Sequence, residues 1–541
     1  MDDTGDRPVD PARARISDRL AAVAAGFVLL VFVVASLLLA RVNNSPGSSD
    51  SCGNLILARS LTEGRGYVTG GLGELWIRQP LDAPDTVRPP GLPYLLAAVF
   101  AATGAALAVP VLVNAATVVL GALALRGAIR RRGGRRSADL AAILMLLSIN
   151  YEMVSIWNNN LLAAFTAALL FLASRADEGA SRGRAWLPVS LAVCSAAGLL
   201  MKQSFLLTAI PFSILVLATD STRTKTRRGL EVFAYLGLFL ALTAVYWGPN
   251  VLLHGQPFYS PSFPSARLAA RYGFLPNGAW RTVRFDRPAT YGEVLRALGP
   301  ARMLLIDLKM LAKTIFYSIC MNPAVALAAA GSILFWRPSR RRDYAGVAAL
   351  CAGTVFEVGI YHHHEFRYLW PMYPCFLLLA WFTVRDFDQW GTTQVSPVLK
   401  ARFRTAFALL GTCALLIGTF GALENWRKAY EQARQPTPGW AGAVRRLPPA
   451  SVVLTADVGP VVWWTERRAV VSPLGDRADL DAVLTFYKPD HYLALGAEEL
   501  PGRGVAFSSD DLVPLQQGEG WILYRIDLKK SGQSVKRDEP G

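Results

Sequence analysis

Long apolar blocks, each near the length of a bilayer core and separated by short arginine clusters, leave this chain few ways to fold. Residues 20–40, 230–246 and 344–361 are three such blocks. A helix rises about 1.5 Å per residue, so about 20 apolar residues cross a hydrocarbon layer of roughly 30 Å. No water is available there to satisfy backbone N–H and C=O groups, which leaves self-bonded helices as the spanning form for such blocks. The expected fold class is therefore a polytopic α-helical membrane protein. Composition agrees: 52% of the 541 residues are hydrophobic and 18% are charged, where soluble domains carry about 25% charge.

The basic residues set the direction of the crossings. Arg130, Arg131 and Arg132, then Arg223 to Arg228, then Arg340, Arg341 and Arg342 sit between apolar blocks. Clusters placed there mark cytoplasmic loops; they are not a stripe that tracks a nucleic-acid groove. The net charge of +16 is thus assigned to topology, and nucleic acid is excluded as a partner. Arg13, Arg15 and Arg19 place the N-terminal tail in the cytoplasm. A first span near 20–41, read as a retained anchor and not a cleaved signal, then delivers 42–106 outside. The apolar run 91–103 is short for a span and reads as a juxtamembrane or re-entrant helix in this first external loop. Further spans are expected near 107–127, 137–151, 160–175, 186–201, 204–219, 229–248, 320–336, 344–361, 367–384 and 404–423. The total is about eleven spans, in a bacterial plasma membrane. Residues 249–303 would then be external although they hold Arg267, Arg271, Arg281, Arg284 and Arg287, a charge suited to anionic lipid or polymer.

After Trp426 the pattern changes from long blocks to short strand-like runs. These are 452–454, 461–463, 469–471, 492–495 and 521–524, with helices expected at 438–446 and 478–487. The chain therefore divides into a transmembrane domain over 1–426 and a small extracytoplasmic α/β domain over 427–541, whose polar tail from 529 is expected to be disordered. Cys194, Cys320, Cys351, Cys375 and Cys413 lie in or beside apolar blocks, and Cys52 stands alone in a loop expected to be reachable from outside. No spacing among them suggests a disulfide framework or a zinc site.

The first external loop carries the densest chemistry. It reads Ser49-Asp50-Ser51-Cys52-Gly53-Asn54, a helix-like stretch 55–62, and Gly64-Arg65-Gly66-Tyr67; further on comes Arg88-Pro89-Pro90-Gly91-Leu92-Pro93. A carboxylate stands just beyond a span, and an arginine stands where a short helix meets the membrane surface. Taken alone, such an Asp is most simply a helix cap and such an Arg an interfacial anchor. Glu152 reads equally as a second acidic group of a site or as a solvated helix end. Asn159, in Trp157-Asn158-Asn159-Asn160, is a candidate to hydrogen-bond a polar ligand, against a plain polar turn. His364, in His362-His363-His364-Glu365, is a candidate substrate contact, because adjacent histidines do not share a helix face as i,i+4 ligands do. The Trp463-Trp464 pair reads as packing within the C-terminal domain.

In their order along the chain, these pieces resemble the GT-C glycosyltransferases, the superfamily of protein O-mannosyltransferases and lipid A aminoarabinose transferases. Asp50, the pattern Ala58, Leu61, Gly64, Gly66 and Tyr67, and Arg88-Pro89-Pro90-Gly91 followed by Pro93 resemble its opening. Met201-Lys202-Gln203, Tyr246-Trp247-Gly248-Pro249-Asn250 with His254-Gly255-Gln256-Pro257-Phe258, and Phe366-Arg367-Tyr368-Leu369-Trp370-Pro371 with Pro374 resemble later segments.

The resemblance implies a glycosyltransferase that moves a sugar, with inversion, from a membrane-lipid donor, a polyprenyl-phosphate-linked sugar, to an extracytoplasmic glycan, lipid or protein acceptor. Asp50 matches the general base, and Arg88, Lys202 and Arg367 match cations on the donor phosphate. Tyr67 joins Glu152, Asn159 and His364 as candidate substrate contacts. The chain departs from the pattern at Ser51, Val87 and Pro249, which leaves a divalent metal open and no metal ligands assigned; no other cofactor is implied. Two other classes compete. A transporter or flippase would place charges and broken helices near the membrane midplane, whereas here the ionisable residues stand at span ends and in loops. A non-catalytic polyprenyl-phosphate-binding protein would have no use for Asp50.

Overall fold

Helices follow the apolar blocks along the chain. In the computed structural model the described residues are 11–527, apart from 74–78, 86–87, 133, 149–152, 157, 176–185, 220–222, 256–271, 273–280, 282–290, 335–340, 362–365, 395, 475–476 and 502–504. The polar tail from 529, Glu152 and His364 lie outside them. Helix α1 (Pro11–Val42) is followed by α2 (Ser49–Thr62), the short strand β1 (Gly71–Leu72), α3 (Gly91–Thr103) and α4 (Ala108–Arg131). Then come α5 (Arg135–Leu147), α6 (Asn158–Arg175), α7 (Trp186–Met201), α8 (Leu206–Ala218) and α9 (Lys225–His254). Next are α10 (Tyr291–Leu298), α11 (Pro300–Cys320), α12 (Pro323–Leu334), α13 (Arg341–Tyr361), α14 (Tyr373–Gln394) and α15 (Pro397–Ala433). The C-terminal part runs α16 (Gly439–Arg445), β2 (Val452–Thr455), α17 (Val458–Thr465), β3 (Arg468–Val471), α18 (Arg477–Tyr487), β4 (His491–Leu495), β5 (Leu512–Gly518) and β6 (Trp521–Ile526).

The chain divides into two compact units. The first gathers Met1–Asn43, Pro110–Phe258 and Asp307–Glu431; the second gathers Asn44–Val109, Tyr259–Ile306 and Gln432–Gly541. The C-terminal segment thus shares its unit with the first loop and with part of the loop before α11.

The first unit is helical. Four helices among the described residues are long and apolar enough to cross a bilayer: Ile16–Val42, Ala108–Arg131, Lys225–Leu252 and Val398–Ala433. Lipid is as apolar as leucine, so helices in it associate through close backbone approach at small residues and through interhelical hydrogen bonds. Both devices are present. A Cβ added at Gly353 on α13 would stand 2.5 Å from the Leu207 carbonyl oxygen, and one at Gly331 on α12 would stand 2.6 Å from Thr383 on α14. The Thr383 hydroxyl donates across to the Ala328 carbonyl at 2.6 Å. Tyr235 of α9 donates to Ser195 of α7 at 3.2 Å, and Ser195 lies 3.4 Å from Ser213 of α8. At the end of α4, Arg126 Nε donates to Asp139 of α5 at 2.6 Å. Phe233, Leu240, Leu416 and Phe420 stay exposed, as expected of surfaces that meet lipid and not water.

Helix α11 was not expected from sequence, because Asp307, Lys309 and Lys313 interrupt its apolar residues. Those residues recur at helical spacing instead: Leu304, Leu308, Leu311 and Ile315 form one exposed stripe, the pattern of an amphipathic helix.

The second unit is built on a six-stranded sheet of order β1-β3-β2-β4-β6-β5. Strands β1, β3, β2 and β4 pair in parallel, and β6 and β5 are antiparallel additions. The run 461–463, expected as a strand, is helix α17. Parallel strands β2 and β3 need a crossover between them, and that requirement overrides the β propensity of Val461-Val462-Trp463. The three side chains are buried as a crossover helix's inner face would be. Strand β5 was missed because Pro514 argues against a strand. It lies at the sheet edge, where proline is tolerated, with a register shift between Pro514 and Gln516.

Of the basic loop's arginines, Arg267, Arg271, Arg284 and Arg287 lie outside the described residues, and Arg281 departs from the expectation. It is buried, and its Nε donates to the Ser472 carbonyl at 2.6 Å. Its Nη1 and Nη2 grip both oxygens of Glu499 at 2.8 and 3.0 Å. Its own carbonyl accepts from the Leu474 N–H at 3.0 Å. This charge serves the unit's interior and not an anionic lipid. Burial, with the Glu499 carboxylate beside it, pushes the Tyr492 phenol well above its ordinary value.

Candidate active site

Helix α2 begins earlier than the sequence suggests. Ser48 is its N-cap, and the Ser48 hydroxyl accepts from the Ser51 N–H at 3.4 Å. Asp50 is therefore not the cap. It lies inside the first turn, with its side chain exposed, where the helix dipole favours an anion. Its carbonyl accepts from Asn54 Nδ2 at 3.3 Å, leaving the carboxylate out of that bond.

One turn on, α2 carries Gly53, and the reason for a glycine is Arg88. A Cβ on Gly53 would fall 2.3 Å from the Arg88 guanidinium carbon, so the guanidinium lies flat across this stretch of helix. Residues three apart share a helix face, with Cβ atoms about 5–6 Å apart. The second unit thereby brings Asp50 and Arg88 onto one face of α2. Asp85 holds the arginine in place: its Oδ1 accepts from the Arg88 backbone N–H at 2.9 Å and its Oδ2 from Nη1 at 2.8 Å. The Tyr67 hydroxyl donates to the carbonyls of Arg88 and Pro89 at 2.9 and 3.2 Å, and its ring stacks on Tyr94 of α3. Tyr67 thus ties down the backbone on which Arg88 sits. Gly64 and Gly66 turn the chain out of α2 at φ of 74° and 84°, a region that costs other residues about 1–2 kcal/mol.

Cys52, expected to be reachable, is fully buried in the first turns of α2. Burial raises its thiol well above the ordinary value; the negative charges of Asp457 and Asp50 add to the shift and Arg88 opposes it. The thiolate is the reactive form, so this cysteine is inert and cannot report topology. Asp457, at the N-cap of α17, is a further carboxylate of this neighbourhood that the sequence did not single out.

The first unit holds the other expected cation. Lys202 stands in extended backbone at the break between α7 and a 3-10 turn, Gln203–Phe205. Its Nζ lies 4.6 Å from the centre of the Tyr368 ring, a distance for cation–π attraction. Tyr368 belongs to a second 3-10 segment, Phe366–Met372, which also contains Arg367. The two segments singled out by motif order therefore adjoin each other. Asn158 at the start of α6 donates to the Met201 carbonyl at 2.6 Å and steadies the turn before Lys202. Asn159 is buried beside it, and the buried Asn160 Nδ2 has no hydrogen-bond partner among the described residues.

Chemically, the α2 face offers an exposed carboxylate able to accept a proton beside a guanidinium able to hold an oxyanion through directed hydrogen bonds. The Lys202 segment offers a second cation backed by an aromatic ring. Among the described residues no three His, Cys, Asp or Glu side chains converge to hold a metal ion.

The family model described as dolichyl-phosphate-mannose-protein mannosyltransferase matches residues 87–247, a span that contains both Arg88 and Lys202. In structure, the chain is similar to ArnT from Cupriavidus metallidurans bound to undecaprenyl phosphate, with a TM-score of 0.55 at 13% identity. That match covers 92% of this chain and 97% of the other. The same enzyme in the apo state gives 0.54 at 13% identity, over 94% and 98%. Residues 87–247 thus resemble that mannosyltransferase family, and the chain shares its fold with ArnT. Comparison with curated proteins gives no sequence match. At this identity the structural likeness speaks for a shared fold alone.

Three parts of this candidate site escaped sequence reasoning. Asp85 was passed over because attention fell on Val87, directly before the arginine; the i,i+3 spacing to Arg88 was the usable signal. Gly53 was visible as a lone glycine in a helix, which marks close backbone approach when a packing reason exists. Asp457 had no signal at all, since it lies hundreds of residues away from α2.

Proposed function

We propose that this protein transfers a sugar from a polyprenyl-phosphate donor to a hydroxyl of an extracytoplasmic acceptor, a glycan, lipid or protein, with inversion at the anomeric carbon. The observation that carries this reading is the pairing of Asp50 and Arg88 on one face of α2. Asp50 accepts the acceptor's O–H proton as that oxygen bonds to the anomeric carbon. The bond from that carbon to the phosphate oxygen breaks through an oxocarbenium-like state, and polyprenyl phosphate leaves with the electron pair. Arg88 stabilises the charge that grows on the phosphate, and the motif resemblance proposes Lys202 and Arg367 as further cations for the donor. Arg88 suits this role because its planar fork matches phosphate oxygens bidentately. The solved ArnT structure of the same fold was captured with undecaprenyl phosphate, which supports a lipid phosphate as the ligand. The same reading takes about eleven spans in all and places the second unit's first loop and C-terminal sheet outside the cytoplasm.

The test is Asp50→Asn, assayed with the donor that a panel of polyprenyl-phosphate sugars identifies for the wild type. Ser48 supplies the cap, so the substitution spares the helix apart from about 0.3–1 kcal/mol of dipole interaction. Sugar transfer should fall by about 10²–10⁴ while polyprenyl phosphate still binds. Transfer at the wild-type rate would remove Asp50 from the mechanism.

A further inference from the structure

Away from the Asp50 face, the second unit contains a cavity of about 530 Å³, within the roughly 300–1,000 Å³ of small-molecule sites. Its wall includes Arg59, Arg445, Trp463, Trp464, Glu466 and Arg467. Arg59 lies nine residues beyond Asp50 on α2, about 13 Å along the helix axis, so this is a different place from the site described above.

Three features of the wall are unexplained by folding alone. The Arg59 side chain is 13% exposed, and its Nε is buried with no hydrogen-bond partner among the described residues. Its Nη1 makes two long contacts, 3.4 Å to the Trp463 carbonyl and 3.4 Å to Glu466, and its carbon lies 4.8 Å over the Trp463 ring. An unpaired buried donor of this kind costs stability unless a ligand or water completes it. Burial lowers the Arg59 guanidinium from its ordinary value, with Glu466 opposing; a bound anion would restore it. Second, Glu466 closes α17 as its C-cap in a left-handed backbone, φ 59°, where glycine is the residue helices use most. Third, Arg445 spends its Nε on the Trp464 carbonyl at 2.6 Å and is otherwise exposed at the cavity. Arg467 is the structural member, bonded to the carbonyls of Leu447, Thr465 and Arg445.

Three guanidiniums against one carboxylate leave the wall cationic. Indole faces suit the apolar side of a sugar ring, as they suit other rings, and Glu466 is placed to accept from hydroxyls. We infer that this cavity binds a phosphorylated sugar, with Arg59 and Arg445 on the phosphate and Glu466 and Trp464 on the ring. Two sources supply this chemistry: a free sugar phosphate or the headgroup of a lipid, the latter suited by Ala105 and Leu107, which join the wall just before α4.

The experiment uses the full chain in phosphatidylcholine nanodiscs, titrated with glucose 1-phosphate, glucose and inorganic phosphate. Wild type should bind glucose 1-phosphate measurably more tightly than glucose. Arg445→Ala, which gives up one exposed hydrogen bond to the Trp464 carbonyl, should weaken that binding about tenfold. Glu466→Gly relieves the left-handed backbone, so thermal stability should hold or rise while glucose 1-phosphate binds less well and inorganic phosphate does not. In a second arm, nanodiscs containing phosphatidylinositol should show competition against glucose 1-phosphate if the source is a lipid headgroup, and none if it is free; either result is a form of the inference. Equal binding of glucose and glucose 1-phosphate, unchanged affinity in Arg445→Ala, or no binding in either arm would overturn it.

Discussion

Arg88 and Arg281 belong to the same compact unit and each is paired with a carboxylate, yet they do opposite work. Arg281 is 9% exposed and its partner Glu499 is 8% exposed; its donors are consumed by Glu499 and Ser472. Arg88 is 25% exposed over a partner, Asp85, that is 4% exposed. One is sealed on every side. The other is gripped from below by Asp85 and laid across a glycine, with an edge left toward the surface that Asp50 shares. A sealed pair holds segments together; under the proposed function the partly exposed Arg88, held by Asp85, meets a ligand.

The comparison breaks first at Arg281. Arg281→Ala leaves Glu499 buried without its partner and should destabilise the protein by about 3–5 kcal/mol, read as a large drop in Tm in detergent. Replacing both members by methionine should recover most of the loss, since a buried pair often contributes little net stability beyond well-packed apolar groups. A small effect of the single change would mean that Arg281 is no more structural than Arg88.

The next effect falls at Asp85. Asp85→Asn keeps the shape and part of the hydrogen bonding but removes the charge that orients Arg88. Binding of polyprenyl phosphate should weaken about fivefold, a fraction of a full charge-assisted bond, with Tm falling less than in Arg281→Ala. Unchanged binding would show that Arg88 needs no such support. The smallest effect is expected for Gly53→Ala. Alanine is the better helix former by about 1 kcal/mol, and the group it displaces is the movable end of Arg88. Stability should hold while lipid-phosphate binding falls a few-fold; a loss of folding instead would place the role of Gly53 in the core and not at the site.

The same two arginines show how much was legible beforehand. The apolar helices were readable because a long apolar run acts locally, within one stretch of chain. The helices containing 20–40, 91–103 and 186–201 appear where their apolar runs lie. Asp50, Arg88 and Lys202 were singled out as candidates in the same way, through motif order. What could not be read was set by contacts between distant segments. Strand β1 pairs with β3 nearly four hundred residues later, Arg281 meets Glu499 across 218 residues, and the crossover between two parallel strands turned a β-prone run into α17. Cys52 was misread for the same reason, since its burial depends on what packs over α2 and not on its neighbours in sequence.

The central claim is that this chain handles a lipid phosphate at Arg88 and Lys202. Polyprenyl phosphate is the product common to every donor of this class, so its binding tests the claim without knowledge of the sugar. The measurement is its affinity for the purified full chain in nanodiscs, for wild type, Arg88→Ala, Arg88→Lys and Lys202→Ala. Saturable binding by the wild type should weaken about ten- to a hundredfold in each alanine variant. Arg88→Lys should recover part of it, because it keeps the charge and loses the fork. Wild-type affinity in both alanine variants, or no saturable binding by the wild type, would contradict the account.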